Sequence, residues 1–131
     1  MIDLDTNILV RYLTQDGPKQ SPRITKIIEQ KISKESPGFF SCVVLVETVW
    51  TLMGSYKMDP KDIMAIIKEL IHAEDLQLEH SEEVWRAQQL DSTEGLYFAD
   101  ALLGAIHHSH GCKYTLTFGQ GAPKSGLFRV A

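Results

Sequence analysis

The sequence predicts an α/β fold: a small, mostly parallel sheet flanked by helices, in one domain spanning residues 1–131. Short apolar runs of β type alternate with longer stretches at helical period. Helices outnumber strands along the chain. The length allows one real core, and 44% apolar with 23% charged residues is an ordinary globular balance.

Met1 to Asp5 reads as a short strand, and TNILVRYL carries Ile8, Leu9, Tyr12 and Leu13 at helical spacing. DGPKQSP reads as a break. Ile24, Ile27, Ile28 and Ile32 mark one face of an amphipathic helix, which ESPG ends. FFS is a short strand, and its Ser41 reads as an N-cap. CVVLVETVWTLM is about three helical turns long and stops at Gly54. Its apolar residues are almost continuous, the pattern of a buried strand or of a helix buried nearly all round, and the length and the stop favour helix. Asp59 and Pro60 read as N-cap and first helical residue, ahead of a stripe of Ile63, Ile66, Ile67, Leu70 and Ile71. LQLE is a strand. Ser81 caps a helix containing Val84, Trp85, Ala87 and Leu90. Leu96 to His110 is another helix, stopped by Gly111, and YTLTF and LFRV are the last strands.

A net charge of −4 argues against binding nucleic acid through bulk charge. It leaves open binding through divalent cations, which reverse the sign locally. Cys42 and Cys112 make neither a disulfide framework nor a metal-type pair. No apolar run approaches the roughly 18 residues of a membrane span, and acids at the N-terminus do not fit a signal peptide. A reducing, cytoplasmic setting is expected.

Three acids stand out. Asp5 lies at the C-terminal end of the first strand, where α/β sites are built. Glu47 sits within VVLVETVW and Asp100 within LYFADALLGAI, each among apolar residues. An ionised carboxylate in apolar surroundings is normally paired or bound to metal. VVLVETVW has no basic residue, and Lys113 is the first Lys or Arg after Asp100. A cation from solution is the economical partner; the plain alternative for each acid is a solvated or salt-bridged carboxylate. Oxygen ligands without His or Cys at ligand spacing favour Mg²⁺ or Mn²⁺ over Zn²⁺, and carboxylate-held Mg²⁺ serves phosphate chemistry. Asp3 shares a face with Asp5 and Asn7 at period two. It lies at the strand's start and reads as structural or peripheral.

The segments IDLDTNILVRYL, VVLVETVWTL and FADALLGAI…GC…TLTF resemble the PIN-domain nucleases, and more narrowly the VapC-type toxins of bacterial toxin–antitoxin pairs. The resemblance spans nearly the whole chain. It implies a PIN-like fold and metal-dependent cleavage of RNA, with no covalent enzyme intermediate. Asp5, Glu47 and Asp100 match the metal-binding acids; Thr6 and Asn7 match polar residues that position Asp5. Gly119 stands where the family usually carries a fourth acid, and Thr117 and Gln120 are the nearest polar groups. Family members also often carry an acid where Tyr97 stands. Weaker metal binding with reduced or absent activity is therefore expected. The resemblance further implies an antitoxin partner whose amphipathic tail docks between two helices such as those with isoleucine stripes at 24–32 and 63–71, a homodimer, and transfer RNA anticodon loops as substrate.

Other residues invite roles. Arg11, one to two turns beyond Asp5, is placed to reach an RNA phosphate or to make a surface salt bridge. His107 and His110 lie one turn apart, a metal-type spacing, but with His108 at a helix end they read first as solvated and dipole-favoured. Lys113, Lys124 and Arg129 bracket the last strands as a phosphate-facing rim or a solvated surface. Two rival functions remain: a catalytically degenerate domain that only binds RNA or antitoxin, and a phosphatase using Asp3 and Asp5 of DLDT.

Overall fold

The computed structural model describes residues 1–94, 97–119 and 126–131, the side chains of 91–94 excepted. The chain divides into two units, Met1–Glu79 and His80–Ala131. In the first unit, β1 (Ile2–Asp3), β2 (Gly38–Phe40) and β3 (Leu76–Leu78) form a parallel sheet in that order. Ile2 lies opposite Gly38, and Phe39 opposite Gln77. Parallel neighbours need crossovers. α1 (Thr6–Thr14) and α2 (Gln20–Lys31) make the first; α3 (Cys42–Gly54) and α4 (Pro60–His72) make the second. Their apolar stripes close on Leu9, Ile28, Leu45, Leu52, Ile63 and Ile67, all buried. Gly38 admits that closure: a Cβ there would lie 2.8 Å from the Ile32 side chain.

The second unit holds α5 (Ser81–Glu94), α6 (Phe98–Ser109), β4 (Thr115–Thr117) and β5 (Phe128–Val130). α5 packs on α6 through buried Val84, Ala87, Ala101 and Ala105. β4 and β5 pair in parallel, with Thr115 opposite Phe128. The Phe128 ring rests against α6 at Gly104, where a Cβ would lie 2.7 Å from the ring edge.

The α/β reading with parallel strands holds, and several helix ends follow their local chemistry. Asp59 accepts from the Lys61 amide at 2.8 Å, with Pro60 opening α4. Ser41 accepts from the Val44 amide at 3.3 Å at the start of α3. Four expectations are corrected. α2 begins at Gln20, inside the expected break, because a proline is tolerated in a first turn and Pro22 occupies one. Ser81 is the first residue of α5 rather than its cap; His80, at φ 54, precedes it and its carbonyl accepts the Val84 amide. α6 starts at Phe98, with Tyr97 as N-cap; Leu96 lies outside the described residues. The chain leaves the strand before Thr6, so Asn7 belongs to α1 and not to a face shared with Asp3 and Asp5. Among the described residues, no helix is long and apolar enough to cross a membrane.

Two glycines make a test of this packing. Gly104→Ala pushes a methyl into the Phe128 ring and is expected to cost about 1–3 kcal/mol. Gly54→Ala, at the open end of α3 with nothing within 4 Å, is expected to be neutral or stabilising by about 0.5 kcal/mol. Urea unfolding midpoints of the two variants check the contrast.

Candidate functional site

β1 and β2 run parallel, so α1 and α3 start at one edge of the sheet, beyond the strands' C-terminal ends. Asp5 is the N-cap of α1: its backbone is extended and its Oδ1 accepts from the Ile8 amide at 3.0 Å. The bond satisfies an amide that the helix itself leaves unpaired. It also holds a negative charge at the positive end of the helix. Thr6 is half-buried and Asn7 exposed. Among the described residues, neither side chain hydrogen-bonds to the Asp5 carboxylate. Asp3 is exposed and closes the two-residue β1 rather than opening a longer strand.

Glu47 lies in the second turn of α3 and is exposed. The expectation of a helix buried nearly all round is corrected here. Val43 at 67% and Trp50 at 61% are open on the same side as Glu47. Hydrophobic neighbours in sequence do not desolvate a carboxylate on an uncovered face. Thr51 donates to the Glu47 carbonyl at 2.8 Å. Glu47, Thr51 and Ser55 succeed one another along α3 at four-residue steps, as Asn7 and Arg11 do along α1. α1 packs on α3. Asn7, Arg11, Thr51 and Ser55, with Val10, Asp16 and Tyr56, line a cavity of about 280 Å³.

In the second unit, Asp100 is exposed in the first turn of α6, a position the helix dipole favours. The Tyr97 side chain gives no cap hydrogen bond and is exposed. Thr117 closes β4, and its Oγ1 accepts from the Gly119 amide at 3.0 Å. Gly119 has no left-handed φ, and a Cβ there would meet only the Thr117 hydroxyl, at 3.3 Å. Among the described residues, neither the backbone nor the packing calls for glycine at that place.

Asp5 and Glu47 thus belong to one unit, and Asp100, Thr117 and Gly119 to the other. Among the described residues, the ion pairs are Lys34–Glu74 and His80–Glu83, and neither involves Asp5, Glu47 or Asp100. Within neither unit do three or more described His, Cys, Asp or Glu gather into a metal-sized cluster. The candidate donors are all carboxylates, exposed and, among the described residues, free of a basic partner, which fits a hard divalent cation. His107 Nδ1 lies 3.0 Å from the Thr115 hydroxyl, and His108 and His110 are exposed. Arg129 lies over the Tyr114 ring at 4.0 Å, a cation–π contact. Lys113 is exposed; Gln120 and Lys124 lie outside the described residues.

One acid was not singled out from the sequence. Glu79 Oε1 accepts from the Cys42 amide at 3.0 Å, the Cys42 thiol donates to the Glu79 carbonyl at 3.1 Å, and the Glu79 amide donates to the Phe40 carbonyl at 3.1 Å. Glu79 so clamps the start of α3 beside the end of β3. The partners are 37 residues apart, and no local pattern announces such a cap.

A family model described as PIN domain matches residues 2–124. The chain is also similar to the VapC ribonuclease of Aquifex aeolicus (strain VF5). The two are 26% identical over 127 residues, covering 97% of this chain and 93% of that protein.

Glu79→Ala is expected to cost about 1 kcal/mol by uncapping α3, with Glu79→Gln retaining most of that stability. Gly119→Asp is expected to change stability by less than about 0.5 kcal/mol. Thermal unfolding followed by circular dichroism measures all three.

Proposed function

The chain belongs to the PIN-domain family, and on that premise we propose that it is a divalent-metal-dependent endoribonuclease, the toxin of a toxin–antitoxin pair. The observation that carries this reading is the state of Asp5, Glu47 and Asp100. Each carboxylate is exposed, and none has a cationic partner among the described residues. They stand in the order in which the family resemblance assigns metal-binding acids. In this reading residues 1–131 make one PIN-like domain, and the three acids together hold Mg²⁺ or Mn²⁺. The bound cation supplies the charge that activates water and offsets the phosphate.

The chain's own residues contribute position and charge. Asp5 is fixed through Oδ1 on the Ile8 amide, which leaves Oδ2 for a ligand. Thr6, Asn7 and Thr117 are short polar groups that orient substrate or water. No side chain acts as nucleophile, so no covalent enzyme intermediate forms. A chain of net charge −4 attracts RNA poorly by itself, so binding leans on the cation and on a few basic groups such as Arg11. Single-stranded loops expose both the phosphodiester and the base edges, and transfer RNA loops are the proposed substrate, met in the cytoplasm.

The antitoxin tail docks on the groove of about 530 Å³ between α1 and α2, which Ile8, Ile24 and Ile27 line together with Arg11 and Arg23. The open face of Val43, Trp50 and Met53 on α3 suits pairing of two copies. Gly119 favours a second reading, in which the domain only binds RNA or antitoxin. The match over residues 2–124 gives no support to the phosphatase alternative built on Asp3.

Asp5 allows a clean test, because Asn caps a helix about as well as Asp. Asp5→Asn is expected to keep the parent's melting temperature and to lower Mn²⁺-dependent RNA cleavage on the order of a hundredfold or more. Asp5→Ala should lose activity and also about 1 kcal/mol of stability. Asp5→Asn cutting RNA as fast as the parent contradicts the nuclease site. Gly119→Asp should tighten Mn²⁺ binding and raise cleavage; no cutting by either parent or Gly119→Asp favours the binding-only reading.

A further inference from the structure

We infer that the cavity between α1, α3 and the loop after α1 is a base-reading subsite that takes a guanine of single-stranded RNA, with Arg11 and Asp16 as its specificity-determining residues. The inference rests on the ribonuclease reading for the identity of the polymer. The cavity, about 280 Å³ and including Asn7, Arg11, Asp16, Thr51, Ser55 and Tyr56 in its wall, is roomy enough for one base.

Hydrogen bonds among its own residues hold the wall in place. Arg11 Nη1 donates to the Asp16 carbonyl at 3.2 Å. Gly17, at φ +97, lets the loop close against the guanidinium; a Cβ there would lie 2.8 Å from Nη1. The Ser21 hydroxyl, itself buried, donates to the Asp16 carbonyl and to the Arg11 carbonyl. Tyr56 donates its hydroxyl to Asp16 Oδ2 at 2.9 Å. Ser21 pins the loop through main-chain oxygens, Nη1 fixes the guanidinium on the Asp16 carbonyl, and the Tyr56 hydroxyl fixes the Asp16 carboxylate through Oδ2.

Arg11 and Asp16 line the same cavity and yet form no ion pair with each other. Arg11 retains most of its N–H donors and Asp16 most of its lone pairs. A phosphate in this space meets the Asp16 charge, and a metal ion meets the Arg11 charge. A ligand with acceptors and donors side by side satisfies both. Guanine has that pattern: O6 and N7 accept from an arginine fork, and N1–H with the 2-amino group donates to a carboxylate. Adenine and the pyrimidines do not offer a carboxylate two adjacent donors. Asn7, Thr51 and Ser55 add groups that donate or accept as required. Arg11, which the sequence left between an RNA phosphate and a surface salt bridge, is better placed to read a base because an acid shares its wall.

Equilibrium binding in EDTA separates recognition from cleavage. Short oligouridylates carrying one central guanine, inosine or adenine are titrated with the full chain and followed by fluorescence anisotropy. The guanine oligomer is expected to bind on the order of tenfold more tightly than the adenine one, with inosine, which lacks the 2-amino group, in between. Asp16→Asn keeps an acceptor for Tyr56 and every main-chain contact; it should erase the guanine-over-inosine difference. Arg11→Lys loses the fork and should weaken guanine and inosine alike, narrowing their lead over adenine while the guanine-over-inosine difference stays. A merely structural role for either residue would weaken all three oligomers equally. Equal binding of guanine and adenine by the parent, no binding of any oligomer, or a guanine preference that both variants retain undiminished overturns the inference. Guanine preference in EDTA without cleavage in Mn²⁺ keeps the subsite and removes the nuclease reading. Cleavage in Mn²⁺ without base preference in either assay does the reverse.

Discussion

Every helix that follows a parallel strand starts with unpaired amides, and this molecule depends on how they are capped. Asp5 takes the Ile8 amide, Ser41 the Val44 amide, and Glu79 the Cys42 amide. The first two caps start α1 and α3 at one edge of the β1–β2–β3 sheet. Each also places an oxygen there. A cap uses one carboxylate oxygen and leaves the other free. The local need that starts α1 therefore supplies the first ligand the proposed chemistry requires.

The remaining acids are set by a different rule. Glu47 stands on the uncovered face of α3, and Asp100 in the first turn of α6. Water already solvates both, so neither needs a counter-charge for folding. What recommends them is their freedom: no described cation competes for them. Further along α1 and α3 the wall changes character, from acids to the mixed donors and acceptors of Asn7, Arg11, Thr51 and Ser55. The proposed chemistry calls for both kinds of surface, one to recruit a cation and one to read what the cation brings.

The sequence made some of this legible and hid the rest for identifiable reasons. Asp59–Pro60 announced α4 because a cap and a helix-compatible proline are local signals. The strands showed as short apolar runs, with ends displaced by a residue or two. Pro22 misled, since a proline inside a first turn looks the same as a break. The apolar run of α3 overstated burial: periodicity reports which residues avoid water, not which faces another element covers, and Val43 and Trp50 stayed open. Asp5 was found, but its capping bond was not anticipated. Glu79 was invisible because its partner is distant along the chain. The carboxylates themselves were read from residue type and order, which is why their assignment leans on family resemblance more than on shape.

Manganese binding followed by electron paramagnetic resonance tests the central claim most directly, with the parent, Glu47→Gln and Asp100→Asn titrated side by side. If Glu47 and Asp100 serve one cation as proposed, each single substitution weakens the same site by about tenfold or more. If Asp100→Asn binds manganese as the parent does, the shared site does not exist.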